Sequence, residues 1–271
     1  MADSSHIPDK AYADLGFVGS RPARPLRILA EYLHPETRFY DLAISDTIVF
    51  FGSARFQPRD EAEAALDAAR GQGGDVANAE RNLATARYYE DARTLAHRLT
   101  EWSRGLEKRR KRFVVCTGGG PGIMEAANRG ASEAKGLNVG LGISLPQEPS
   151  GNPYSTRQLS FEFHYFFMRK FWFVYLAKAL VAFPGGFGTL DEFFEVMTLL
   201  QTGKLKKRMP IVLFGSEFWN DALNLDALVR FGTIDRADLD LFRVSDTVDD
   251  AFDFITTELS ADAIDQPGGR W

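Results

Sequence analysis

The sequence predicts a single α/β domain, a Rossmann-like doubly wound parallel sheet preceded by an N-terminal extension. Three observations predict it. Short β-branched and aromatic runs, such as residues 46–51 (DTIVFF) and 211–214 (IVLF), recur between longer segments of helical composition. Two of the runs end in glycine-rich turns that lead into a helix, the place where an open α/β sheet gathers its ligands. A chain of 271 residues, 45% hydrophobic and 25% charged, is long enough to bury one large core.

Residues 1 to about 45 carry Pro8, Pro22, Pro25 and Pro35 with no sustained period, and they read as an extension laid on the surface. The α/β domain then spans 46–260. Its first strand, 46–51, closes at Gly52 and Ser53. Helices follow over 59–70 and 76–104, and the first belongs to a helical insertion at about 57–82. A second strand, 113–116, feeds Thr117-Gly118-Gly119-Gly120-Pro121-Gly122 and a helix to about residue 135. Apolar residues alternating with glycine over 138–145 mark a third strand with close backbone neighbours. Beyond an irregular stretch at 146–153 come a strand at 159–163, an aromatic helix at 165–177 and a strand at 180–183. A loop at 184–189 then leads to a helix at 190–202. Strands at 211–214 and 242–244 and helices near 218–230 and 248–259 complete the series, and a flexible tail over 261–271 is expected to fray.

Composition excludes several function classes. Lys+Arg 32 against Asp+Glu 37 gives a net charge of −5, which argues against a nucleic-acid partner, so any bound anion needs a local device. Cys116 is the single cysteine, which excludes a disulfide framework and fits a reducing compartment. His6, His34, His97 and His164 show no ligand spacing, so no metal is expected. The start lacks an apolar signal core, and the stretch 161–183 is interrupted by His164, Arg169, Lys170 and Lys178. A cytoplasmic protein without a membrane partner is the expectation.

The two glycine loops, 117–122 and 184–189 (Pro184-Gly185-Gly186-Phe187-Gly188-Thr189), carry the functional reading. Glycine lets the backbone approach an anion, and N–H groups at a helix start attract phosphate. Neither loop completes the dinucleotide fingerprint: G-x-G-x-x-G counted from Gly118 ends on Ile123, and from Gly186 on Asp191. Both could be mere strand-to-helix turns, but two on one sheet with a hydroxyl at Thr189 favour a phosphate site. Thr189 to Glu192 also fits a capping box, with Thr189 as cap and Glu192 reaching back. A carboxylate at the mouth of such a loop can do chemistry as well, and Asp191 and Glu195 are its acidic neighbours. Arg169 and Lys170 interrupt an aromatic run and either snorkel to the surface or meet a phosphate or the acids of the next loop.

Pro184-Gly185-Gly186-Phe187-Gly188-Thr189-Leu190-Asp191-Glu192 resembles the PGGxGTxxE motif of the LOG ("Lonely guy") family, cytokinin riboside 5′-monophosphate phosphoribohydrolases, many once labelled "possible lysine decarboxylase". Arg169-Lys170 matches the family's Arg-Lys pair, residues 117–125 resemble its triple-glycine turn, and Gly52-Ser53 its first-strand turn. The likeness spans about residues 46–258. Departures are Phe167 in place of a His two residues before the Arg, Glu125 in place of a Gly, the extension and the insertion. These resemble the longer bacterial branch.

What the resemblance implies is a hydrolase that releases the base from AMP or an N6-modified AMP, leaving ribose 5-phosphate. Glu192 would stabilise the oxocarbenium-like state and Arg169 would orient it. Substrate would be held by Gly52, Ser53, Gly118, Gly119, Gly120, Lys170, Gly185, Gly186, Gly188, Thr189 and Asp191. No cofactor is implied, and the protein would be a homodimer or higher homo-oligomer. Two rivals stand beside this reading. One is a non-catalytic nucleotide or cofactor carrier on the same fold. The other is a decarboxylase needing pyridoxal phosphate on a lysine, for which nothing marks Lys170 or Lys178.

Overall fold

The computed structural model of the chain describes residues 9–106, 111–144 and 151–268. Before the sheet come α1 (Leu15–Gly19) and α2 (Arg24–Asp41). Then follow β1 (Thr47–Phe51), α3 (Arg59–Gln72), α4 (Val76–Gly105), β2 (Val114–Thr117), α5 (Ile123–Glu133), β3 (Asn138–Ile143), β4 (Ser160–Phe163) and α6 (Phe166–Tyr175). The second half holds β5 (Ala177–Ala182), α7 (Phe187–Gln201), β6 (Ile211–Phe214), α8 (Ser216–Ala222), α9 (Leu225–Arg230), β7 (Arg243–Ser245) and α10 (Val248–Asp262).

All the strand pairs are parallel, in the order β4-β3-β2-β1-β5-β6-β7. The chain therefore winds outward from β1 to β4, returns, and winds outward again from β5 on the other side. Side-chain alternation along the central strands explains why both faces are covered. Val49, Phe51, Leu180, Ala182, Ile211 and Leu213 pack on one face with Phe39, Trp172, Phe173 and Phe193 from α2, α6 and α7. Ile48, Phe50, Ala179, Val181, Val212 and Phe214 pack on the other with Tyr89, Leu95, Ile123 and Ile255 from α4, α5 and α10. The result is the doubly wound α/β fold, with its topological switch between β1 and β5. Among the described residues no helix is long and apolar enough to cross a membrane.

Several elements differ from expectation. The segment before residue 46 is largely helical rather than irregular: Pro25 sits in the first turn of α2, where its missing N–H costs nothing, and Pro35 is buried within the helix. Strand β5 begins at Ala177 instead of Leu180, because Lys178 can enter a buried strand when its amine reaches the Gln266 carbonyl (2.9 Å) and lies 3.9 Å from Asp46 Oδ1. One helix near 218–230 is two, separated where the Asn224 side chain caps α9. The tail does not fray through Gly268. Arg112 donates to the carbonyls of Ala263 and Ile264 (both 2.7 Å), and Gly268 N–H to Asp46 (2.9 Å). Residues 145–150, which hold most of the irregular stretch, and Gly269 to the end lie outside the described residues, as do Pro8 and His6.

Candidate active site

The ends of β1, β2 and β5 interlock at the switch point. Ser53 N–H donates to the Pro184 carbonyl (2.9 Å) and Ile123 N–H to the Ser53 carbonyl (3.0 Å). Gly122, at φ +70, brings its backbone so near β1 that a Cβ would fall 2.3 Å from the Ser53 carbonyl oxygen. A Cβ on Gly185 would lie 2.2 Å from Thr189 Oγ1 and 3.1 Å from the Gly52 carbonyl carbon. Gly186 and Gly188 differ in kind, since a Cβ on either would meet nothing within 4 Å. Two of the loop's glycines thus face open space at the helix start.

That helix starts earlier than the capping-box reading required. Gly186 is the N-cap of α7, without a side-chain cap, so Thr189 is the third helical residue and Glu192 the sixth. The capping box does not form. A first helical turn makes no internal N–H bonds, so Phe187-Gly188 can be helical despite the glycine. The N–H groups of Phe187, Gly188 and Thr189 then have no partner within α7, and with the helix dipole they make an anion-attracting end.

Glu192 is thereby carried to the inner face of α7. Its side chain is only 5% exposed and faces Arg169 of α6, Oε1 to guanidinium 3.6 Å. Burial pushes its carboxyl up to about 7, against the lowering pull of Arg169 and Lys170 and with the help of Glu195 and Asp191. The Arg169 guanidinium lies over the rings of Phe166 (5.3 Å) and Phe173 (5.5 Å). Lys170 meets Asp191 Oδ1 and Glu195 Oε2, each at 2.8 Å. Burial works against its charge, but those two carboxylates outweigh it and hold the ammonium above its ordinary pKa. Neither cation snorkels away from α7, so of the two alternatives the acids of the next segment are their partners.

The triple-glycine loop is held by a polar frame. Asn152 N–H donates to the Gly119 carbonyl (2.7 Å) and Asn152 Nδ2 to the Gly120 carbonyl (3.0 Å) and to Asn128 Oδ1 (2.9 Å). Thr117 Oγ1 donates to Asn128 Oδ1 (2.6 Å), and Asn128 Nδ2 donates to Asn138 Oδ1 (3.0 Å). The segment that carries Asn152 is tied to β3, where Asn138 Nδ2 donates to the Tyr154 carbonyl (3.2 Å), while Gly122 faces β1. The sequence reading named neither asparagine. A signal existed for Asn128, a fully buried polar residue among Ile123, Ala126, Ala127 and Ala131 of α5, which must find buried partners.

The structure therefore brings together Gly52, Ser53, Gly185 and Thr189 by direct contact, and Arg169, Lys170, Asp191 and Glu192 by ion pairing. Gly118, Gly119 and Gly120 sit on the neighbouring strand end. Geometrically the arrangement offers an uncapped helix start, a buried carboxyl of raised pKa one turn further on, and a guanidinium against that carboxyl.

The family model described as "Possible lysine decarboxylase" matches residues 124–255, a span that includes Arg169, Lys170 and the 184–192 loop. A curated protein of Oryza sativa subsp. japonica, "Probable cytokinin riboside 5′-monophosphate phosphoribohydrolase LOG4", is 29% identical over 160 residues, 58% of this chain and 67% of its own length. These matches support membership of the LOG family. Two departures from the LOG pattern find local explanations. Glu125, in place of a glycine, turns toward α4 and accepts the Tyr89 hydroxyl (2.8 Å), and Phe167 packs against Tyr165 (5.6 Å between centroids). Among solved structures, the molybdenum cofactor binding protein from Rippkaea orientalis has a TM-score of 0.47 at 16% identity, covering 79% of this chain and 98% of its own. The Moco carrier protein from Chlamydomonas reinhardtii has 0.45 at 20%, covering 80% and 99%.

Proposed function

We propose that this LOG-family chain hydrolyses the N-glycosidic bond of a purine nucleoside 5′-monophosphate, AMP or an N6-modified AMP such as a cytokinin riboside monophosphate. The products are free base and ribose 5-phosphate. One observation carries the reading: a buried carboxyl, Glu192, pressed on Arg169 in the same helix whose first turn opens through Gly186 and Gly188. A site built only to hold an anion gains nothing from a desolvated acid beside it.

In this reading the α7 start, with Thr189, holds the 5′-phosphate, and Gly52, Ser53 and Gly118 to Gly120 line the crevice beside it. Binding energy from that remote group serves orientation at C1′. As the bond to the base breaks, positive charge grows on the ribose ring, and the ionised Glu192 stabilises it and takes a proton from the attacking water. Arg169 orients the carboxylate, while Lys170 holds Asp191 and Glu195 and lowers the repulsion among the three acids. The proposal extends to a second copy of the chain covering the outer face of α7.

Pyridoxal phosphate chemistry, which the family description suggests, does not fit these residues. A Schiff-base lysine must become neutral; Lys170 is held charged by two carboxylates, and Lys178 is buried in β5 beside Asp46 and the tail. The deciding experiment incubates the protein with adenosine, AMP, N6-isopentenyl-AMP and ATP and scores released base by chromatography. Monophosphates should be cleaved in strong preference. Equal cleavage of the nucleoside would remove the phosphate grip, and binding of AMP without base release would make the protein a carrier.

A further inference from the structure

We propose that Glu31 of α2 is a positioning residue for this site: its carboxylate caps α6 from outside and sets the rotation at which Arg169 and Lys170 meet the acids of α7. The positioning role rests on the reading of the site just given, whereas the cap itself does not. Glu31 Oε1 accepts the backbone N–H of His164 (2.9 Å), and Oε2 accepts that of Tyr165 (3.2 Å). Trp172 Nε1 donates to the Glu31 carbonyl (3.1 Å). Helix α6 has no cap of its own, because Tyr165 at the N-cap makes no side-chain capping bond and the first turn contains no acid. A carboxylate on these N–H groups satisfies orphan donors and neutralises the positive helix end.

Packing fixes the same relation further along. The Tyr32 ring lies 5.6 Å from both Phe171 and Trp172, and Phe39 lies 5.4 Å from Trp172. The Arg24 guanidinium stands over the Tyr165 ring at 5.5 Å. Helix α2 therefore grips α6 at its start and again at its aromatic second half, with Arg169 and Lys170 between the two grips. Consecutive helical residues point about 100° apart, yet both cations engage the single helix α7. Only a narrow range of rotation of α6 satisfies Glu192, Asp191 and Glu195 together. With Glu31 seated on it, the start of α6 holds a carboxylate, whereas the start of α7 has no side-chain cap.

The test compares the full chain with Glu31→Ala and Glu31→Gln. In Glu31→Ala, amide exchange at His164 and Tyr165 should speed up by about tenfold or more, and the Glu192 carboxyl should titrate at higher pH as Arg169 draws away. Base release should lose about tenfold in kcat, with KM moved by less than about threefold, because the phosphate grip lies on α7. Glu31→Gln keeps the length and one acceptor oxygen and should recover much of each loss. If Glu31→Ala does not fold, Glu31→Gln carries the same comparison at smaller amplitude. Unchanged exchange at the two amides would overturn the cap. Faster exchange with wild-type Glu192 titration and wild-type kcat would overturn the positioning role. A wild-type protein that releases no base would overturn only the glycosidase reading, since exchange and titration judge the clamp without turnover.

Discussion

At the scale of single residues, Glu192 ties activity and stability to the same proton. Its carboxyl is raised by burial from 4.5 to about 7. The proposed chemistry needs the ionised form, so kcat/KM should fall as pH drops through about 7, and a pH–rate profile on AMP checks this. An opposite limb would make the neutral carboxyl the working form. The stability sign runs the other way. The folded chain holds a proton between pH 4.5 and about 7 that the unfolded chain has released, so that contribution is full below 4.5 and is lost as pH rises through 7. Glu192→Gln, which cannot ionise, should therefore be nearly inactive yet more stable than wild type at pH 8, by about 1–3 kcal/mol, and melting curves should show the gain vanish toward pH 4.5.

The glycines of the same loop separate packing from ligand approach. Gly185→Ala should destabilise the fold, since its Cβ would overlap Thr189 Oγ1 at 2.2 Å. Gly186→Ala and Gly188→Ala meet no atom within 4 Å; Gly188 lies in the first turn of α7, so Gly188→Ala should melt at or above wild type, while Gly186→Ala, at the N-cap, should lose no more than about 1 kcal/mol. If phosphate seats against those N–H groups, both should nevertheless raise KM for AMP by about tenfold or more. An unchanged KM would move the phosphate elsewhere.

At the scale of elements, the sequence made the central strands legible because each is a run of apolar residues buried on both faces: 211–214 was read to the residue, and 46–51 to within one. It misplaced elements whose limits depend on distant partners. The start of α7 hid behind Phe187-Gly188, because glycine reads as loop although an uncapped first turn tolerates it. Strand β5 hid behind Lys178, whose charge enters the strand beside Asp46 and the Gln266 carbonyl. Helix α2 hid behind its prolines. The triple-glycine loop was legible as a turn, but its shape was not, since Asn152 holds it from another segment. Asn152→Ala leaves intact the backbone bond from its N–H to the Gly119 carbonyl and removes the side-chain bonds to the Gly120 carbonyl and Asn128. It should lower the melting temperature by a few degrees, about 1–2 kcal/mol, and raise KM more than it lowers kcat. Steady-state kinetics with a thermal melt tests both halves.

At the scale of the whole molecule, the outer surface of α7 carries an exposed aromatic patch. Phe187 is 92% exposed and Phe194 37%, and Phe166 and Phe167 of α6 are half exposed. Phe187, Leu190, Phe194 and Leu199 line a shallow hollow of about 550 Å³ whose polar members include Lys170, Asp191 and Glu195. The hollow therefore shares residues with the rim of the candidate site, so whatever covers it also shapes the crevice. A second copy is the economical occupant, because a two-fold contact places the same aromatic patch against itself and doubles the apolar area buried. The described chain alone leaves this patch in water, although a stable association needs roughly 1,200–2,000 Å² of total buried surface. Sedimentation at micromolar concentration should accordingly show a dimer or larger assembly. Phe187→Asp combined with Phe194→Asp should dissociate it without unfolding, since neither side chain is buried, and should weaken base release because Lys170 and its acids lose their cover. A wild type that sediments as a monomer, or a double variant that stays associated, would show that another surface, or none, joins the copies.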